Sequence, residues 1–136
     1  MTKAFLLALL LAAALFAPCA ANRKMGGREE VDVNSATVLD IANRIALAVD
    51  ATTSTPYRQG VVRVVSGVQQ VVSGMNYDLL VELGESACLK GGEGVVGDDS
   101  PATEPCPPIE GVQTTLRTAN VWAQPWLKSY KVTLSD

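Results

Sequence analysis

The chain has 136 residues, with 11 Lys and Arg against 14 Asp and Glu, a net charge of −3 and no histidine. That acidic balance offers no basic face to nucleic acid or to an anionic membrane. Without histidine, the usual base for a serine or cysteine nucleophile is absent, so binding is a better class of function than catalysis.

The first residues, Met1-Thr2-Lys3 and then the apolar run from Ala4 to Ala17, have the charged start and short greasy core of a secretory signal peptide. A membrane-spanning helix needs about 20 apolar residues, and this run meets Pro18 and then Asn22-Arg23-Lys24 too soon. The expected cleavage is after Ala21, which makes residues 1–21 the signal and residues 22–136 a secreted, extracellular domain. Removing 21 of 136 residues leaves 115, enough for one domain and one core. Of the three cysteines, Cys19 leaves with the signal, and Cys88 and Cys106 remain as an even pair in an oxidising compartment. A disulfide is the expected state; a zinc site lacks histidine and further cysteines to complete it. No metal and no cofactor is implied.

Between Val33 and Val49, the residues Val38, Ile41, Ala42, Ile45, Ala46 and Val49 recur at three- and four-residue steps and predict an amphipathic helix. Asn34 or Ser35 is the candidate cap, and the β-branched run ending in Pro56 stops the helix. Tyr57 to Gln70 is valine-rich with interspersed polar residues, the composition of a strand with one wet face. Met75 to Cys88 alternates, with Tyr77, Leu79 and Val81 on one side and Asn76, Asp78, Leu80 and Glu82 on the other. Val71-Val72-Ser73-Gly74 is short enough to join the two as a hairpin.

A glycine-rich, acidic loop follows from Lys90 to Pro101. Gln113 to Val121 and Lys128 to Leu134 predict two more strands, with Val112, Thr114, Leu116, Val132 and Leu134 as the inward residues and Trp122 to Trp126 as the turn. One helix followed by antiparallel strands makes an α+β domain with the helix across one sheet face. The carboxylate pairs Glu29-Glu30 and Asp98-Asp99 have no apolar surroundings to raise a pKa and are solvated surface charge.

Three features are candidates for binding: Gly26-Gly27 before the helix, Gln70 to Gly74, and Pro125-Trp126. With both hairpin turns and the helix entry at one end, they form a narrow wedge whose rim carries Val71, Val72 and Trp126, apolar groups suited to burial by a partner.

These residues resemble a type 2, secreted cystatin: Gly26, the Gln-x-Val-x-Gly motif at Gln70 to Gly74, and Pro125-Trp126 appear in order and with fitting spacing. The string Asn76 to Gly84, Cys88 and the ending Lys131 to Ser135 extend the resemblance over almost the whole mature chain. The resemblance implies a cystatin-like antiparallel five-stranded β-sheet wrapped around one long α-helix. It also implies reversible occlusion of papain-like cysteine proteases such as cathepsins, by a monomer. On that basis Gly26 is the hinge of the N-terminal segment, with Met25 as its apolar anchor. Gln70, Val71, Val72, Ser73 and Gly74 form the first inhibitory loop, and Pro125 and Trp126 the second. Two departures are visible. No cysteine follows Cys106, so a second disulfide is absent, and Thr52-Thr53-Ser54-Thr55 lacks the asparagine through which some members inhibit legumain. Legumain is therefore not an expected partner. The alternative reading is a secreted cystatin-fold module for binding or host defence without protease inhibition.

Overall fold

A computed structural model of the chain describes residues 26–90 and 106–135. The strands are β1 (Arg28–Glu30), β2 (Tyr57–Val71), β3 (Met75–Leu89), β4 (Thr114–Gln124) and β5 (Ser129–Ser135), with the helix α1 (Ala36–Asp50) between β1 and β2. They form one five-stranded sheet in the order β1-β2-β3-β4-β5, every neighbour antiparallel. The fold is the cystatin-like α+β arrangement that the sequence predicts.

The apolar stripe of α1 is buried as its periodicity requires, with Val38, Ile41, Ala42, Ile45, Ala46 and Val49 in the core. They pack on Val64 of β2, Tyr77, Leu79, Val81 and Leu83 of β3, and Ala119, Val121 and Ala123 of β4. Full burial of an isoleucine such as Ile41 or Ile45 contributes about 2 kcal/mol each by area. Arg44 is also buried in this layer. Its guanidinium lies 3.6 Å over the Tyr130 ring of β5 and its Nε donates to Asp40 at 3.2 Å, so the charge is satisfied from two sides.

The helix starts at Ala36 rather than Val33. Asp32 explains the delay: its Oδ1 accepts from Asn34 N at 3.0 Å and its carbonyl from Ser35 N at 3.1 Å, which closes a turn ahead of the helix. Of the two candidate caps, Ser35 acts, its Oγ accepting from Val38 N at 3.2 Å. At the other end Thr52 and Thr53 turn their hydroxyls back onto the carbonyls of Val49 and Asp50.

The alternation predicted for β3 holds, with Tyr77, Leu79, Val81 and Leu83 buried. The predicted inward face of β4 does not. Thr114 and Leu116 are exposed, Leu116 by 59%, and the buried set is Ala119, Val121 and Ala123. The strand runs through Gln124, longer than predicted, and its unbroken pairing with β3 turns odd-numbered residues to the core and Thr114 and Leu116 to the opposite face. Val132 and Leu134 do pack against the core. β1 is a short strand that the sequence pattern does not announce; it holds the leading segment to β2 through Arg28↔Gln70, Glu29↔Gln69 and Glu30↔Val68.

Cys88 and Cys106 are joined in a disulfide with a Cα–Cα distance of 6.2 Å. The bridge lies at the end of β3 remote from the β2–β3 turn.

Candidate functional site

Strand order equal to chain order makes successive connections alternate between the two ends of the sheet. The start of β1, the β2–β3 turn and the β4–β5 turn consequently share one end. Register fixes how close they come. Arg28 pairs with Gln70, Val71 with Met75 and Met75 with Ala123, so the three segments stand side by side.

The β2–β3 turn consists of Val72, Ser73 and Gly74, with Val71 still paired to Met75. Val72 N donates to Gly74 O at 3.0 Å. Gly74 has φ of +114°, and a Cβ there would sit 2.5 Å from the carbonyl oxygen of Ala123, so both backbone conformation and contact with β4 demand glycine. Gln70, at the end of β2, reaches across with its Nε2 to donate to Gly26 O at 2.9 Å, tying the leading segment to this turn.

The second turn is Pro125–Leu127, a single 3₁₀ turn. Proline at its first position fixes φ without losing a needed donor. Lys128 closes it, adopting φ of 51° and donating its N–H to Pro125 O at 3.0 Å. Trp122, Ala123 and Gln124, predicted as part of the turn, instead extend β4. Their parity gives Trp122 and Gln124 a role that sequence reasoning missed. Trp122 Nε1 and Gln124 Nε2 both donate to Ser73 O, at 3.3 and 3.4 Å, linking the second hairpin to the first turn. Extending β4's alternation past Val121 would have exposed this signal.

The resulting rim is uncharged from Gln70 to Gly74 and from Pro125 to Leu127. Its large side chains point to solvent: Val71 is 63% exposed, Trp126 62% and Leu127 60%, with Val72 and Trp122 about two-fifths exposed. Behind the rim, on the face away from α1, Arg28 pairs with Asp78, and Asn120 Nδ2 donates to Asp78 Oδ1 at 2.7 Å and Asn76 Oδ1 at 2.9 Å. Further along, hydrogen bonds from Thr114 and Arg63 hold the Glu82 carboxyl below its ordinary pKa. Such a rim can dock and exclude water; it contains no acid–base pair. Among the described residues, no group of three or more His, Cys, Asp or Glu is placed to hold a metal, and no helix is long and apolar enough to cross a membrane.

Of the predicted site residues, Gly26, Gln70, Val71, Val72, Ser73, Gly74, Pro125 and Trp126 all lie at this end. Met25 and the expected signal peptide fall outside the described residues.

The family model "Cystatin domain" matches residues 26–126, spanning all three segments. Cystatin-1 of Chilobrachys guangxiensis is 27% identical over 112 residues, which cover 82% of this chain and 80% of that protein. Cystatin-C of Bos taurus is 42% identical over 69 residues, 51% of this chain and 47% of its own length. Among solved structures, the salivary cystatin of the soft tick Ornithodoros moubata aligns with a TM-score of 0.61 at 29% identity, covering 82% of this chain and 98% of that one.

Proposed function

The chain belongs to the cystatin family, and from that premise we propose that it is a secreted, monomeric inhibitor that reversibly blocks the active-site cleft of papain-like cysteine proteases such as cathepsins. One observation carries the reading: three separate segments meet at one end of the sheet, and the two uncharged turns among them present Val71, Val72, Trp126 and Leu127 to solvent.

The edge suits a narrow cleft. Gln70 to Gly74 enters beside the protease's catalytic cysteine, and Trp126, set by Pro125, covers the primed side. Gly26, with φ of +83° and open space around its Cα, lets Met25 swing into the non-primed subsites. The turns are held by the Gln70–Gly26, Trp122–Ser73 and Gln124–Ser73 hydrogen bonds, so little conformational entropy is lost on docking. Apolar side chains then supply the desolvated contact. The strands end in tight turns and offer no extended peptide for cleavage, so the protease is occluded rather than supplied with a substrate.

The test is titration of papain and a panel of endo- and exopeptidase cathepsins with the refolded protein, using legumain as control. Stoichiometric, reversible inhibition of the papain-like enzymes with legumain untouched is expected. No inhibition of papain at micromolar concentration would leave the non-inhibitory binding module in its place.

A further inference from the structure

At the sheet end opposite the edge, partly buried charged groups surround the disulfide. Arg58, near the start of β2, donates from Nη1 to Cys106 Sγ at 3.2 Å. Its Nε lies 3.8 Å from Asp50 Oδ2, and both of these atoms are buried without a hydrogen-bond partner among the described residues. Asp50 Oδ1 is occupied by Gln59 N at 2.7 Å. The other charged groups nearby are Lys90, whose Nζ is held by Thr53, and Glu85, whose carboxylate accepts from Thr55.

A guanidinium spends a charged donor on a neutral disulfide sulfur in the oxidised protein. If that sulfur became a thiolate, the same contact would be a charge-assisted hydrogen bond, which is markedly stronger. Arg58 therefore favours the state in which Cys106 carries negative charge. Among the described residues no such cation touches Cys88, whose N–H is bound by Ser86 Oγ at 3.2 Å.

Cys106 is also anchored independently of the bridge. A Cβ on Gly60 would collide with the Cys106 carbonyl and lie 2.7 Å from Pro108 N, so the two backbones are in direct contact. Ile109 N donates to Glu85 O at 3.0 Å, and Pro108 bridges to Ser86. These contacts keep Cys106 beside Arg58 when the S–S bond is broken.

We propose that the Cys88–Cys106 bridge is a directional thiol-exchange site, at which an external low-molecular-weight thiolate adds to Cys88 while Cys106 leaves as a thiolate held by Arg58. The incoming sulfur forms a bond to Cys88 Sγ, the Cys88–Cys106 bond breaks, and its electron pair goes to Cys106. One thiol is thereby conjugated to Cys88 and one cysteine of the bridge is reduced. Attack by the anchored Cys106 on the mixed disulfide reverses the step and expels the external thiol.

The experiment is exposure of the folded, oxidised protein to reduced glutathione, rapid trapping with iodoacetamide and mapping of each cysteine by tandem mass spectrometry. The expected product carries glutathione on Cys88 and the alkyl group on Cys106, favoured by about tenfold over the reverse pattern. Arg58→Gln should bring that ratio towards one and slow conjugation, whereas Arg58→Lys should retain most of the bias. Equal or reversed labelling in the unsubstituted protein would overturn the proposal, and so would an unchanged ratio in a folded Arg58→Gln protein. If Arg58→Gln does not fold, the labelling pattern of the unsubstituted protein decides.

Discussion

The two ends of this sheet are built on opposite principles. At one end the chain leaves Val71, Val72, Trp126 and Leu127 in solvent and fixes the backbone beneath them. At the other it buries Ser86, partly buries Asp50 and Arg58, and closes the structure covalently through Cys88 and Cys106. Apolar exposure costs stability and is kept where a partner can bury it. The disulfide helps keep a small domain folded and does nothing for docking, while the charge buried beside it costs desolvation that pairing must offset. The proposed docking edge and the disulfide end are thus separated by the length of β3, which carries Met75 at one end and Leu89 at the other.

Substitutions at the two ends should move different measurements. The largest effect belongs to the covalent end: Cys88→Ser with Cys106→Ser opens a loop of 18 residues and should cost about 3 kcal/mol in urea unfolding. The inhibition constant for papain should change less than about threefold in the same protein, since the bridge is remote from the rim; a parallel loss of inhibition would break the separation.

Trp126→Ala should do the reverse. Binding to a cathepsin should weaken by ~2 kcal/mol, as for exposed aromatic anchors, with the unfolding midpoint almost unmoved. An unchanged inhibition constant would remove Trp126 from the docking surface.

The smallest effect is a pH dependence at the buried end. Desolvation pushes the Asp50 carboxyl above its ordinary pKa, against the lowering by the Gln59 N–H and Arg58. A raised folded pKa means that the native state binds the extra proton, so Asp50 lowers stability as pH rises from the ordinary carboxylate range through its folded value. Glu82, with its lowered pKa, acts in the opposite sense: its stabilisation is present above the ordinary carboxylate range and is lost as pH falls through its folded value. Comparing urea midpoints of Asp50→Asn and the unsubstituted protein across that range cancels Glu82. The difference should grow in favour of the variant towards neutral pH, and a difference independent of pH would show that Asp50 is not the penalised group.

Periodicity made α1 and β3 legible, because in each a single face meets one core and the pattern repeats cleanly; β2, whose pairing with β3 shifts register at three places, was legible from its valine-rich composition instead. It failed on β4, where Leu116 looks like a core residue yet its parity turns it to the face away from α1, and where Trp122 looks like part of a turn yet completes the strand. It also passed over β1, three residues with charged side chains whose only reason to be extended is the open edge of β2. At the site, the glycine, the Gln-x-Val-x-Gly string and Pro-Trp were visible as isolated motifs. What locks them together was not: Trp122 and Gln124 act through the carbonyl of Ser73, about 50 residues away in the chain.

Local chemistry in the sequence determined the helix and most of the long strands, which cysteines can pair, and which residues carry the family's motif. Those properties depend on neighbours within a few positions, or on a count. Tertiary structure decided the parity of β4, the pairing of β1, the contact that forbids a side chain at Gly74, and the placing of Arg58 on Cys106. Each of these depends on contacts between segments far apart in the chain, which are fixed only when the sheet closes over α1 and buries one face.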